Sequence, residues 1–143
     1  MEAKELMIGD CVYSKLHNVD TTVITVEGKD YNSVWLESKE CWERHYMKEI
    51  EPIPLKITHL KKNGFEVQDI VDNIACEDSI FVYKEGYEIK VIMDEGISEL
   101  GIPPSTHLFI DFADRHLDMY IDYVHELQHA LRLFGIEKEI IID

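Results

Sequence analysis

An α+β fold, mostly antiparallel β, is the class this sequence predicts, and three observations predict it. Short runs rich in Val, Thr, Ile and aromatic residues alternate with turn residues through most of the 143-residue chain. A proline pair, Glu51-Pro-Ile-Pro-Leu55, interrupts them near the middle. One segment near the C-terminal end, 122–134, carries apolar residues at helical spacing. The predicted organisation is a single domain over 1–143. It has an N-terminal β subdomain at 1–50, a Pro-containing crossover at 51–57, and an α+β part at 58–143 whose second sheet is covered by the 122–134 helix.

The first strands are expected at 10–16, 21–27 and 31–37, with His17-Asn18-Val19-Asp20 and Gly28-Lys29-Asp30 as turns. The opening Ile8-Gly9-Asp10-x-Val12 resembles the start of an SH3-like barrel, where a glycine turns the chain into the first strand. Each proline of the crossover biases the residue before it towards extended backbone. A short helix follows from Thr58, a plausible N-cap, to Asn63, closed by Gly64. Alternating strands are then read at 65–71, 79–84 and 87–93, the last two joined at Glu85-Gly86. Residues 96–106, with Gly101 and Pro103-Pro104, read as a loop and the most mobile part. Strands at 107–112 and 116–121 precede a helix capped by Asp122 and ended by Gly135, and Glu139–Ile142 reads as a final strand.

Fourteen basic against 29 acidic residues give a net charge of −15, a surface that repels nucleic-acid phosphates. Direct nucleic-acid binding is therefore not expected. The ordinary reading of the acidic excess is solubility; its functional reading is a basic partner protein, with a DNA-mimic inhibitor of a basic host protein as an alternative function. No apolar run is long enough to span a bilayer, and the N-terminus lacks the basic start and apolar stretch of a secretory signal. Cys11, Cys41 and Cys76 are odd in number and widely spaced, which reads as free thiols in a reducing cytoplasm.

One motif carries chemistry by its spacing. His125-Glu126-Leu127-Gln128-His129 fits H-E-x-x-H, in which two imidazoles one helical turn apart bind zinc and the glutamate activates the metal-bound water. Its context is incomplete. A catalytic zinc needs a third protein ligand, and the 14 residues after His129 contain no histidine. Glu137 and Glu139 follow too closely to lie on a separate helix, so a rescue would have to come from His107, His116 or Asp118 upstream. At about 100° per residue, Tyr123, Val124, Leu127, Ala130, Leu131 and Phe134 form an apolar arc, and His125 and His129 project from the opposite side, expected to be solvated.

Other constellations are weaker. Asp111, Asp114 and Asp118 around Arg115 and His116 form a charged hairpin with no spacing tied to a reaction. Cys41 and His45, four residues apart, lack an orienting third group. Trp35, Trp42, Tyr31 and Tyr46 cluster in the N-terminal half, and Trp42 is the candidate partner-binding residue.

Four segments occur in order: Lys4-Glu-Leu-Met-Ile-Gly-Asp-Cys-Val12, Ile50-Glu-Pro-Ile-Pro-Leu55, Leu60-Lys-Lys-Asn-Gly-Phe65 and Tyr123-Val-His-Glu-Leu-Gln-His-Ala-Leu-Arg-Leu-Phe-Gly135. Together they resemble a family of small uncharacterised proteins from gut anaerobes and their phages and mobile elements. The resemblance implies a phage or mobile-element setting and carries no activity, cofactor or catalytic residue. It also implies Asn in place of His129, which makes the second half of the metal motif a local variation. The function expected is a non-enzymatic interaction or accessory protein with no cofactor and no catalytic residue. The alternative is a zinc-dependent hydrolase with His125 and His129 as ligands and Glu126 as base.

Overall fold

The computed structural model describes residues 6–7, 9–27, 33–37, 42–73 and 76–142. Two compact units divide the chain, one made of Met1–Leu55 with Tyr123–Asp143 and the other of Lys56–Asp122. The α+β class with mostly antiparallel β content holds in both. Among the described residues no helix is long and apolar enough to cross a membrane.

The first unit is a five-stranded antiparallel sheet in the order β4-β3-β2-β1-β5. Its strands are β1 (Cys11–Ser14), β2 (Val19–Glu27), β3 (Ser33–Glu37), β4 (Trp42–Tyr46) and β5 (Ile50–Pro52). A 3-10 turn at Met47–Glu49 sends the chain from β4 back to pair β5 with β1. Between Val23 and Thr25 the register of β2 on β3 shifts, and such a bulge bends a strand so that a short sheet curls. Gly9 leads into β1 at φ +89°, with its N–H donating to the Val23 carbonyl at 2.7 Å. That left-handed turn is open to glycine at no steric cost. Leu6, Val12, Val23 and Ile50 form a buried cluster. Strand β4 is absent from the sequence reading because its Glu43-Arg44-His45 core does not alternate with apolar residues.

The C-terminal helix α2 (Val124–Leu133) belongs to this same unit, whereas the sequence assigns it to the second sheet. Its start is anchored by the Val124 N–H, which donates to the Ile53 carbonyl at 2.9 Å, and by an isolated bridge between Pro54 and Tyr123. The N-cap is Tyr123, one residue later than the expected Asp122. Val124, Leu127, Ala130, Leu131 and Phe134 are all buried, as their spacing predicts. Residues 139–142 form no strand, contrary to expectation. The tail instead buries Ile136 and Ile140 while Glu137, Glu139 and Ile141 face solvent, so the apolar residues are satisfied by burial without a ladder.

The second unit is a five-stranded antiparallel meander in the order β10-β9-β8-β7-β6. It comprises β6 (Glu66–Asn73), β7 (Cys76–Lys84), β8 (Glu88–Asp94), β9 (Ser105–Phe112) and β10 (Arg115–Tyr120), preceded by helix α1 (Ile57–Lys62). Helix α1 starts at Ile57 with Lys56 as N-cap, so Thr58 lies inside it, and the Lys56 N–H donates to His59 Nδ1 at 3.1 Å. Phe81, Ile89, Val91, Leu108 and Ile110 share one sheet face and are themselves almost completely buried, each contributing about 2 kcal/mol of apolar burial.

The 96–104 connection, read from sequence as the most mobile part, is tied by reciprocal backbone bonds between Ile97 and Ile102 at 3.0 Å. Gly96 sits there at φ +73°, and a Cβ on it would lie 2.4 Å from the Ile102 carbonyl oxygen. Gly96→Ala should therefore cost about 2 kcal/mol or more in thermal or urea unfolding. A melt like that of wild type would show that the connection can open without cost.

Candidate functional site

The H-E-x-x-H helix brings its polar side chains onto the lead-in to β1. At helical spacing His125, Gln128, His129 and Arg132 form a stripe opposite the apolar arc. Asp10 lies beneath that stripe with none of its surface exposed. Its Oδ2 accepts hydrogen bonds from the Met7 N–H at 2.7 Å and from His129 Nε2 at 2.6 Å. Its Oδ1 accepts from Arg132 Nη1 at 2.6 Å. A buried carboxylate needs this many partners, because removing it from water otherwise costs several kcal/mol. Gly9 also lets Arg132 approach, since a Cβ there would stand 3.0 Å from Nη2.

Gln128 does something different. Strand β5 pairs with β1 only from Ile50 opposite Ser14 to Pro52 opposite Val12, and there the ladder stops. Just beyond, the Gln128 side-chain amide takes over: Oε1 accepts the Cys11 N–H at 2.9 Å and Nε2 donates to the Gly9 carbonyl at 3.2 Å. An amide group thus imitates one residue of a neighbouring strand. This satisfies backbone groups that would otherwise be orphaned in the interior.

Cys11 is buried, with its thiol 3.5 Å from Gln128 Nε2 and directed at the Ile140 carbonyl at 3.9 Å. Burial pushes this thiol above its usual range, with the Gln128 bond opposing the shift. A neutral thiol is a poor nucleophile, so Cys11 is a packing residue. Because its folded pKa is raised, the stability it contributes is complete below the ordinary thiol range and is lost as pH climbs through the folded value. Tyr83, pushed up to about 12 by its bond to Glu85, and Tyr87 share that alkaline trend. The expected result is that Cys11→Ala flattens part of the alkaline fall in melting temperature, and that iodoacetamide reaches Cys11 only as fast as the protein unfolds. Rapid alkylation of the native protein would contradict this placement.

Beside this cluster runs an open cleft of about 470 Å³, bounded by Gly9, Cys11, Thr22, Gln128, Arg132 and the 136–142 tail.

For the metal motif the outcome is specific. His129 Nε2 is directed at Asp10. Glu126 Oε2 accepts the Tyr123 N–H at 3.1 Å, so the expected base serves as the helix's own capping residue. His125 is 5% exposed, not solvated as its helical position suggests. Its ring stacks on Tyr123 at 5.8 Å and meets His129 edge-on at 5.5 Å. The expectation of a solvated face fails because the helix is covered on two sides, its apolar arc buried and its polar stripe bonded to 9–11. Among the described residues no group of three or more His, Cys, Asp or Glu side chains is placed to hold a metal ion.

The upstream rescue ligands belong to the second unit and are paired there. His107 Nε2 bonds Asp118, and His116 Nδ1 bonds Asp111 at 2.6 Å. Asp114 lies in the turn between them. Tyr46 is exposed at the end of β4, under the Lys48 ammonium at 5.9 Å. Cys41 and Tyr31 lie outside the described residues, as do the side chains of Trp35, Trp42, His45 and Cys76.

Sequence reasoning missed Asp10 as the centre of the cluster. Nothing local marks it, since its side-chain partners His129 and Arg132 lie 119 and 122 positions away. The one available signal was the polar stripe Gln128-His129-x-x-Arg132 beside the apolar arc of the helix.

No protein-family model matches the chain, and no curated protein and no solved structure matches it.

Proposed function

We propose that this chain acts by binding a protein partner, as an accessory protein of a phage or mobile element working in the host cytoplasm, without catalysis. One observation carries the reading. Each polar residue of the H-E-x-x-H segment already performs a structural task, His129 on Asp10, Glu126 on its own helix cap and His125 within a ring stack. Recruiting His129 to zinc would mean breaking its bond to Asp10, and recruiting Glu126 would uncap the helix. The acidic balance of −15 supports a basic protein, and not a nucleic acid, as the kind of partner.

The test has two arms. Metal content of tag-free, dialysed protein is measured by plasma mass spectrometry, with peptide hydrolysis assayed on wild type and Glu126→Gln. Partners captured from host lysate are then reconstituted pairwise with the purified chain. A one-to-one complex formed by protein without bound metal is the expected result. Stoichiometric zinc that disappears in His129→Asn, together with hydrolysis that disappears in Glu126→Gln, would replace this reading with a zinc hydrolase.

A further inference from the structure

We propose that the outer face of the β9–β10 hairpin is the docking surface, and that its occupant is an arginine-rich segment of the partner protein. The inference rests on the interaction reading above and supplies the chemistry of the partner.

Register defines the face. Across the hairpin Tyr120 stands opposite His107, Asp118 opposite Phe109, and His116 opposite Asp111. These six point away from Leu108 and Ile110, which are fully buried on the other side. The face is open. Tyr120 is 69% exposed, and the side chains of Asp111 and Asp118 are 60% and 49% exposed.

Its aromatic groups form a platform. The His107 ring lies flat against Tyr120, with centroids 4.5 Å apart and planes at 17°, and packs on Phe109 at 4.3 Å. His107 is held there by its bond to Asp118. A flat exposed ring with carboxylates beside it fits a guanidinium, which stacks on aromatic faces and bonds carboxylate oxygens as a planar fork. An ammonium has the charge without the plane.

Charge favours the same occupant. From Val91 to Asp122 the chain carries seven Asp and Glu residues against one basic residue, Arg115. Arg115 is directed to the opposite face, 5.2 Å over the Phe112 ring. The nearest lysine across β8, Lys90, is matched by Glu88 at 3.7 Å. A basic segment therefore meets no strong opposing charge on this hairpin and gains long-range attraction from its surroundings.

The experiment uses the full chain and fluorescein-labelled nonapeptides alternating glycine with either arginine or lysine, read by fluorescence anisotropy at low and physiological salt. The arginine peptide should bind several-fold tighter than the lysine peptide of equal charge. Tyr120→Ser should weaken it about fivefold and Asp118→Asn about threefold. Tyr46→Ser, an exposed aromatic of the other unit, should leave it unchanged. Circular dichroism melts verify that each variant folds. Equal binding of the two peptides, or binding indifferent to Tyr120→Ser, would reduce the effect to diffuse charge attraction and overturn the proposal. Absence of binding would overturn it as well, while the interaction reading itself stands or falls on the reconstituted complex.

Discussion

Asp10→Ala should lower stability by about 3 kcal/mol. Three donors converge on that carboxylate: the Met7 N–H, His129 and Arg132. Removing it leaves a cavity and two cation-capable side chains beside the lead-in to β1. His129 and Arg132 are 29% and 33% exposed, so water can partly solvate them, which places the loss at the lower end for a broken buried pair. Asp10→Asn should lose less, because an amide oxygen still accepts one of the bonds. Urea denaturation of the two variants beside wild type decides the matter. Equal stability of Asp10→Ala and wild type would show that the cluster is not what holds α2 in place.

Leu127→Asp should be still more damaging, costing more than about 4 kcal/mol and leaving the first unit unfolded at ordinary temperatures. Leu127 is 1% exposed in the middle of the apolar arc, and no basic side chain shares that arc. The substitution removes a buried aliphatic group and puts an unpaired carboxylate in its place. Hydrogen exchange gives the informative readout, since amides of β1, β2 and β5 should lose protection together with those of α2. If those strands stay protected while only the helix exchanges, α2 contributes less to the first unit than its buried face indicates.

Much of the fold was legible because it depends on local alternation. The strands at 19–27, 88–94 and 105–112 follow runs of β-branched and aromatic residues, and the arc of α2 follows helical spacing. Strand β4 was not legible, since Trp42-Glu-Arg-His-Tyr46 is dominated by charged residues and its pairing with β3 is a property of the partner strand. The reverse error occurred at the C-terminus. Ile140-Ile-Ile142 has high strand propensity, yet these residues pair with no strand.

The candidate site divides along the same line. By itself the sequence determined that His125, Glu126 and His129 share one helix, that an apolar arc lies opposite, and that the net charge is −15. Only the tertiary structure decided what those residues do. Asp10 is 119 positions from His129, and no local pattern encodes a bond whose ends meet only after the chain has folded. The two histidines carry the helical spacing of a metal motif, and their surroundings are set elsewhere in the chain. Folding placed a buried carboxylate under one of them and closed protein around the other, and the cost of burying polar groups unpaired then determined their roles.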